Sequence, residues 1–170
     1  METIKTYENY PIRIVILSNL VSFFIYLLGF LITYKIGLIY SIIYMSFIFA
    51  MELRLIKNHC TTCYYWGKTC GFAKGRVSSL FFKKGDSSDF CSNKFTWKDM
   101  IPDLLVTLIP LIAGIVLLII KFEPFLLFAL ILLIALTTAG NQFIRGSLTC
   151  KFCKQREIGC PAEKLFNSRK

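Results

Sequence analysis

Four long apolar stretches, separated by short polar segments, dominate the hydrophobic pattern of the chain. About 20 consecutive apolar residues cross a bilayer as a helix. The first and last stretches are long enough by themselves. The middle two become long enough if the charged side chains at their ends extend toward the headgroups. The four stretches are Ile14–Tyr34, Ile36–Met51, Leu104–Ile120 and Pro124–Ile144.

These stretches predict an all-α integral membrane protein with four transmembrane helices, at about residues 12–34, 36–56, 102–120 and 124–144. Only short turns separate helix 1 from helix 2 and helix 3 from helix 4, so each pair should form an antiparallel hairpin. The composition agrees with this prediction. Of the 170 residues, 55% are hydrophobic and 18% are charged, whereas soluble domains contain about 25% charged residues.

The lysines and arginines predict the orientation of these helices. Of the 20 basic residues, only Lys35 and Lys121 fall in the two short turns. The others lie in the N-terminal tail, in the segment between helices 2 and 3, and in the C-terminal tail. Because cytoplasmic segments carry the excess of Lys and Arg, we expect a multi-pass protein of the cell membrane with both termini in the cytoplasm.

The cysteines predict an internal repeat. Two C-x2-C-x6-C triplets follow the two hairpins at nearly the same distance, and they are offset by 90 positions. They comprise Cys60, Cys63 and Cys70 in the first copy, and Cys150, Cys153 and Cys160 in the second. The sequence therefore divides into a first repeat over 1–70, a cytosolic insert over 71–100 and a second repeat over 101–170. Two repeats that begin and end on the same side of a membrane are related by an axis along its normal.

Clustered cysteines in the reducing cytosol more often bind metal or act as redox thiols than form structural disulfides. Structural zinc sites usually have four protein ligands, and iron–sulfur clusters also take about four thiolates. Each triplet is therefore one ligand short, and Cys91, His59 or an external ligand are the candidates to complete it. We expect zinc, with an iron–sulfur cluster as the alternative cofactor.

Three arrangements of these ligands are open. Both C-x-x-C pairs can converge on one four-thiolate site. Alternatively, the seven cysteines together with His59 supply eight ligands for two complete sites. In the third arrangement each triplet keeps an open coordination position for a substrate or a water. The sequence supports the first two arrangements equally and the third arrangement less.

The insert contains a candidate membrane-surface helix. Residues 76–84 combine apolar and basic side chains, which predicts an amphipathic helix whose lysines meet anionic lipid headgroups. Tyr64, Tyr65 and Trp66 beside the first triplet suggest a further contact with the membrane interface. Nucleic acid is not expected as a partner, because no recognised binding fold surrounds these residues.

The sequence favours a scaffold or partner-binding subunit whose cytosolic part is held together by metal and contacts a membrane or cytosolic protein. The alternatives are an iron–sulfur electron-transfer subunit and, behind it, a thiol–disulfide oxidoreductase. A transporter of soft metals is disfavoured because no series of Cys, His or Met side chains lines a helix. No serine–histidine–acid set, phosphate loop or zinc-protease motif occurs, so the sequence leaves enzymatic activity undecided and favours a non-catalytic role.

Overall fold

The computed structural model describes residues 6–86, 90 and 97–160, and every regular element in these ranges is helical. Apart from helices, the described part of the chain contains one isolated parallel bridge, between Tyr7 and Cys153. The α-helices are α1 (Ile12–Tyr34), α2 (Leu38–Leu55), α3 (Lys74–Phe81), α4 (Trp97–Ile120), α5 (Pro124–Ala135) and α6 (Gln155–Ile158).

Four helices are long and apolar enough to cross a membrane, which confirms the predicted all-helical architecture with four candidate spans. They cover Ile12–Tyr34, Leu38–Cys60, Ile101–Ile120 and Pro124–Phe152. Large apolar side chains on these helices remain exposed, for example 71% of Ile39 and 79% of Ile119. Surface of this kind is costly in water and is compatible with contact to lipid chains.

The second and fourth spans contain π-helical turns in their C-terminal parts. The helix of α2 extends through Ile56–Cys60. Beyond α5, π-helical turns occupy Leu136–Gly140 and Phe143–Thr149. The π-helix is wider than the α-helix and occurs mostly in short pieces, often near functional sites. Both spans therefore change helical geometry directly before their cysteine triplet.

The chain forms two compact units. One unit, which we call the cap unit, comprises Met1–Asn19, Leu53–Thr96 and Phe143–Lys170. The other, which we call the bundle unit, comprises Leu20–Glu52 and Trp97–Gln142. The cap unit contains all six cysteines that the structure describes, whereas Cys91 lies outside the described residues.

The core of the bundle unit is the contact between α1 and α5. Buried residues at three- and four-residue spacing on both helices form one apolar cluster, as helix-on-helix packing requires. Gly114 brings α4 close to α5, because a Cβ there would lie 2.6 Å from a methyl group of Leu130. The buried cluster consists of Ile25, Leu28, Ile32, Leu126, Ala129, Leu130 and Leu133.

A tyrosine compensates for a proline inside the bundle unit. Pro110 has no backbone N–H and so cannot donate to the carbonyl of Val106, four residues earlier in α4. The hydroxyl of Tyr44 on α2 donates to that carbonyl at 2.8 Å. Gly29 on α1 makes room for this ring, since a Cβ at Gly29 would come within 2.7 Å of the Tyr44 Cζ atom. Helices α1, α2 and α4 therefore meet at the carbonyl of Val106, which accepts a hydrogen bond despite the proline.

We expect Tyr44→Phe to lower the free energy of unfolding by about 0.6–1.7 kcal/mol, the range for polar contacts between helices in membranes. Pro110→Ala restores an N–H that can bond to Val106, so Tyr44→Phe should cost much less in that background. The measurement is a double-mutant cycle of unfolding free energies in detergent or bicelles. Equal effects of Tyr44→Phe in both backgrounds would contradict the proposed compensation.

Candidate functional site

Each triplet begins where a π-helical turn ends. Cys60 is the last residue of the turn Ile56–Cys60. Cys150 follows the turn Phe143–Thr149 and starts the 3-10 turn Cys150–Phe152. Of the described cysteines, Cys150 is exposed and the other five are half-buried, and all six are free thiols. The helix ends therefore position the first sulfur of both triplets.

Backbone N–H groups turn toward the second sulfur of each C-x-x-C pair. The N–H of Tyr65 donates to the Cys63 sulfur, and this partly offsets the rise in the pKa of that thiol that burial causes. The N–H of Gln155 does the same for Cys153. In both pairs this donor lies two residues after the second cysteine. Such N–H groups stabilise a sulfur that carries negative charge.

The third cysteine of the first triplet also accepts a backbone hydrogen bond. The N–H of Gly75, at the start of α3, donates to the Cys70 sulfur at 3.5 Å. The backbone N–H of Ala73 donates to the Cys70 carbonyl at 2.9 Å, which closes the turn between Cys70 and α3. Ala73 itself has a positive φ of 58°, a conformation that a non-glycine residue adopts only where the surroundings hold it.

We call residues 60–70 and 150–160, which contain the two triplets, the two cysteine segments. These segments exchange a pair of hydrogen bonds. The Tyr65 hydroxyl accepts the backbone N–H of Lys154 at 3.0 Å. In the opposite direction, the Gln155 Oε1 atom accepts the backbone N–H of Tyr64 at 2.7 Å. Tyr65 and Gln155 each retain only 2% exposure. Each side chain therefore satisfies, inside the cap unit, a backbone donor that directly follows the second cysteine of the other segment.

The N-terminal tail links the same two segments. The N–H of Tyr7 donates to the carbonyl of Phe152 at 3.0 Å, and the N–H of Tyr10 donates to the carbonyl of Thr69 at 2.9 Å. The Tyr10 hydroxyl donates to the carbonyl of Thr149. The Tyr65 hydroxyl donates to the carbonyl of Tyr7. Three parts of the chain that are distant in sequence therefore form one hydrogen-bonded cap.

A small aromatic core lies under these hydrogen bonds. Tyr10, Val15 and Tyr65 are buried together, and the rings of Tyr10 and Tyr65 are 5.6 Å apart between centroids. Cys63, Cys70 and Cys153 pack against this cluster. Tyr65, which the sequence suggested as a membrane-interface residue, is thus a core residue of the cap unit. Cysteine residues from both triplets therefore pack against one apolar cluster.

The thiols of the two triplets interact electrostatically. Burial raises the pKa of the Cys63 thiol to about 11, and Cys70 and Cys160 add to the rise. Burial likewise raises the pKa of the Cys153 thiol to about 12. Cys63 is the first of the neighbouring thiols that add to this second rise, followed by Cys150 and Cys160. These interactions join five of the six described cysteines across both segments.

The described residues contain no group of three or more His, Cys, Asp or Glu side chains arranged so that it could hold a metal ion. The structure thus places the thiols in one unit without setting them around a common centre. His59 is half-buried in the π-helical turn next to Cys60. Cys91, the other candidate for an additional ligand, lies outside the described residues.

Basic side chains lie on the aromatic surface beside the thiols. The Lys68 Nζ atom is 4.2 Å from the centroid of the Tyr64 ring, and the Lys154 Nζ atom is 5.5 Å from it. Lys154 also pairs with Glu8 at 2.7 Å, and this hydrogen bond and charge lower the pKa of Glu8. Positive charge close to a thiol cluster would offset the negative charge of thiolates.

Sequence reasoning did not identify Tyr10 and Gln155 as parts of this unit. Tyr10 lies in a short polar tail, and Gln155 is one polar residue among several in a basic segment. The signal that was available is the offset of 90 positions, which pairs Gln155 with Tyr65.

Comparisons with protein-family models, with curated proteins and with solved structures found no match to the chain.

Proposed function

We propose that the chain is a multi-pass membrane protein in which two repeated cysteine segments form one cytoplasmic cap that binds a metal ion, with zinc favoured. The cap serves as a scaffold or partner-binding surface for another membrane or cytosolic protein. The observation that carries this proposal is the exchange of hydrogen bonds between Tyr65 and Gln155, which joins the two C-x-x-C pairs.

The exchange supports the interpretation of the chain as two repeats. Tyr65 and Gln155 occupy the same place in their triplets, two residues after Cys63 and Cys153. The backbone donors, from Tyr64 and Lys154, are also equivalent. A pair of identical contacts made in opposite directions is what a twofold relation between two copies produces. The π-helical turns before both triplets are a second equivalent feature.

The donor set supports thiolate ligation of a metal. Cys63 and Cys153 belong to one unit, and each accepts a backbone N–H, a donor that partly offsets the cost of a charged sulfur in this buried place. Zinc binds thiolates at about 2.3 Å in a tetrahedral shell, and its binding displaces the thiol protons. With Cys60 and Cys150, the two pairs would complete a shared four-thiolate site. Cys70 and Cys160 are the ligands of the alternative with two sites.

A metal would also account for the stability of such a small cap. Its buried apolar residues are few, and small domains with a small core are commonly stabilised by a structural metal. The same four thiolates could hold an iron–sulfur cluster instead. In that case the protein would transfer electrons at the membrane surface. Its visible absorption and sulfide content, measured after purification without oxygen, distinguish the two.

The first test concerns sharing of one ion. If Cys60, Cys63, Cys150 and Cys153 bind it together, Cys60→Ser/Cys63→Ser and Cys150→Ser/Cys153→Ser should each remove all the bound metal, because two donors are too few. Elemental analysis of the purified full-length protein measures this. Cys91→Ser is the matched control, since only the two-site arrangement requires Cys91.

Loss of half the metal in each double variant would show two independent sites instead. A full metal content in both double variants would reject these four cysteines as ligands.

The second test concerns the exchange of hydrogen bonds. Tyr65→Phe and Gln155→Leu each leave a buried backbone N–H without its acceptor, which costs about 1–3 kcal/mol. We expect both variants to release metal to a chelator faster and to melt at lower temperature. Tyr40→Phe is the control, because it removes the same hydroxyl from an exposed tyrosine of α2 that lies outside the cap unit. An effect of Tyr40→Phe as large as that of Tyr65→Phe would contradict the role given to the exchange.

The third test concerns orientation, which we assign from the distribution of basic residues. An impermeant thiol reagent applied to intact cells should leave the native cysteines unlabelled, and should label them after the membrane is opened. Cysteine placed at Phe122, in the turn between α4 and α5, should react from outside. The background for this variant is the parent protein with its own cysteines. Labelling of the native cysteines in intact cells would reverse the assigned topology.

A further inference from the structure

Helix α3 has an apolar face that points away from the cap unit. Val77, Leu80 and Phe81 lie at three- and four-residue spacing, on one side of the helix. Leu80 is 79% exposed and Phe81 is 73% exposed. A short helix of a soluble unit normally buries its apolar side and exposes its small or polar side. In α3 this arrangement is reversed.

Contacts on the opposite side fix the rotation of α3. Gly75 and Ser78 are its buried residues. The carbonyl of Gly75 accepts the N–H of Gly67 at 3.0 Å. A Cβ at Gly75 would lie 2.7 Å from the carbonyl oxygen of Lys68, so the helix backbone contacts the cysteine segment directly. Small residues permit this close approach. The helix therefore cannot turn its apolar face inward without losing these contacts.

The charged residues of α3 and of the four residues after it are all basic, and the first acidic residue that follows is Asp86. Arg76 is exposed on α3, and Lys83 and Lys84 are exposed directly after it. No acidic residue occurs between Lys74 and Gly85. An apolar strip flanked by Lys and Arg is the composition of helices that lie in the interface of a membrane with anionic lipids. Attraction between each such basic residue and an anionic leaflet is worth about 1 kcal/mol.

We propose that α3 binds a membrane containing anionic phospholipid, with Leu80 and Phe81 inserted at the level of the first acyl carbons and with Arg76, Lys83 and Lys84 on the lipid phosphates. The chain keeps α3 within reach of such a membrane, because the second candidate span ends at Cys60 and α3 begins at Lys74. Charge complementarity favours this occupant over a second copy of the chain, which presents the same positive charges.

The test uses full-length protein carrying Phe81→Trp, reconstituted into vesicles of phosphatidylcholine with or without phosphatidylglycerol. The acyl chains of one lipid at a time carry bromine, which quenches tryptophan at short range. The parent protein, with Trp66 and Trp97, supplies the baseline. We expect blue-shifted emission from Trp at position 81, and stronger quenching by brominated phosphatidylglycerol than by an equal amount of brominated phosphatidylcholine.

Three further substitutions in the Phe81→Trp protein separate the contribution of apolar side chains to membrane binding from the contribution of charged side chains. Leu80→Glu should abolish the additional quenching. Lys83→Gln should reduce the preference for phosphatidylglycerol by up to about fivefold. Lys121→Gln is the matched control for both, because it changes the net charge by the same single unit at an exposed residue in the turn between α4 and α5. All three substitutions are at exposed or half-exposed side chains, so the metal content and the melting temperature should be unchanged.

Several results would overturn the proposal. Red-shifted emission without quenching beyond the parent baseline would show that Phe81 does not enter the membrane. Equal quenching by both lipids, with no effect of Lys83→Gln, would reject recognition of anionic headgroups. A blue shift in lipid-free detergent that grows with protein concentration would assign the face to a second copy. A blue shift on addition of RNA, without quenching by lipid, would assign it to nucleic acid.

Discussion

The exchange of hydrogen bonds between Tyr65 and Gln155 is the contact on which the cap unit depends. Both donors are backbone N–H groups in tight turns, where no helix or sheet partner is available to them. A buried N–H without an acceptor costs more than an ordinary hydrogen bond contributes, so each segment needs the side chain of the other. The Tyr65 hydroxyl also donates to the carbonyl of Tyr7. One phenol group therefore joins the N-terminal tail to both cysteine segments.

The helices were predictable from the sequence because their cause is local. Uninterrupted apolar stretches can satisfy their backbone groups in a bilayer only as helices, whatever surrounds them. The sequence did not indicate that α4 begins at Trp97, nor that the second and fourth spans continue through π-helical turns. At the end of the last of these turns, the carbonyl of Thr149 accepts a hydrogen bond from the hydroxyl of Tyr10, 139 residues away in the chain. A local pattern cannot indicate such a partner.

The sequence predicted six cysteines as candidate ligands, but it did not indicate how they are arranged. The matching spacings of the two triplets identified the six cysteines. Their grouping around Tyr10 and Tyr65 depends on side chains that reach between segments. Residue type was also misleading in one case. Tyr65 is flanked by Tyr64 and Trp66, a composition typical of membrane interfaces, yet it is the largest fully buried side chain in the described residues. Burial of its hydroxyl requires acceptors and donors that only the folded cap provides.

The two units are stabilised in different ways, and this difference bears on where the protein can act. In the bundle unit, interlocking apolar side chains such as Ile32 and Leu133 hold the helices, and polar contacts such as Tyr44 to Val106 correct local defects. In the cap unit, a small aromatic core is combined with hydrogen bonds between distant segments, so loss of one segment leaves the others without partners. A unit of this kind responds strongly to any ligand that joins its parts, because binding adds its free energy to folding. Thiols from both segments packed against that same core lie where a bound ion would have this effect.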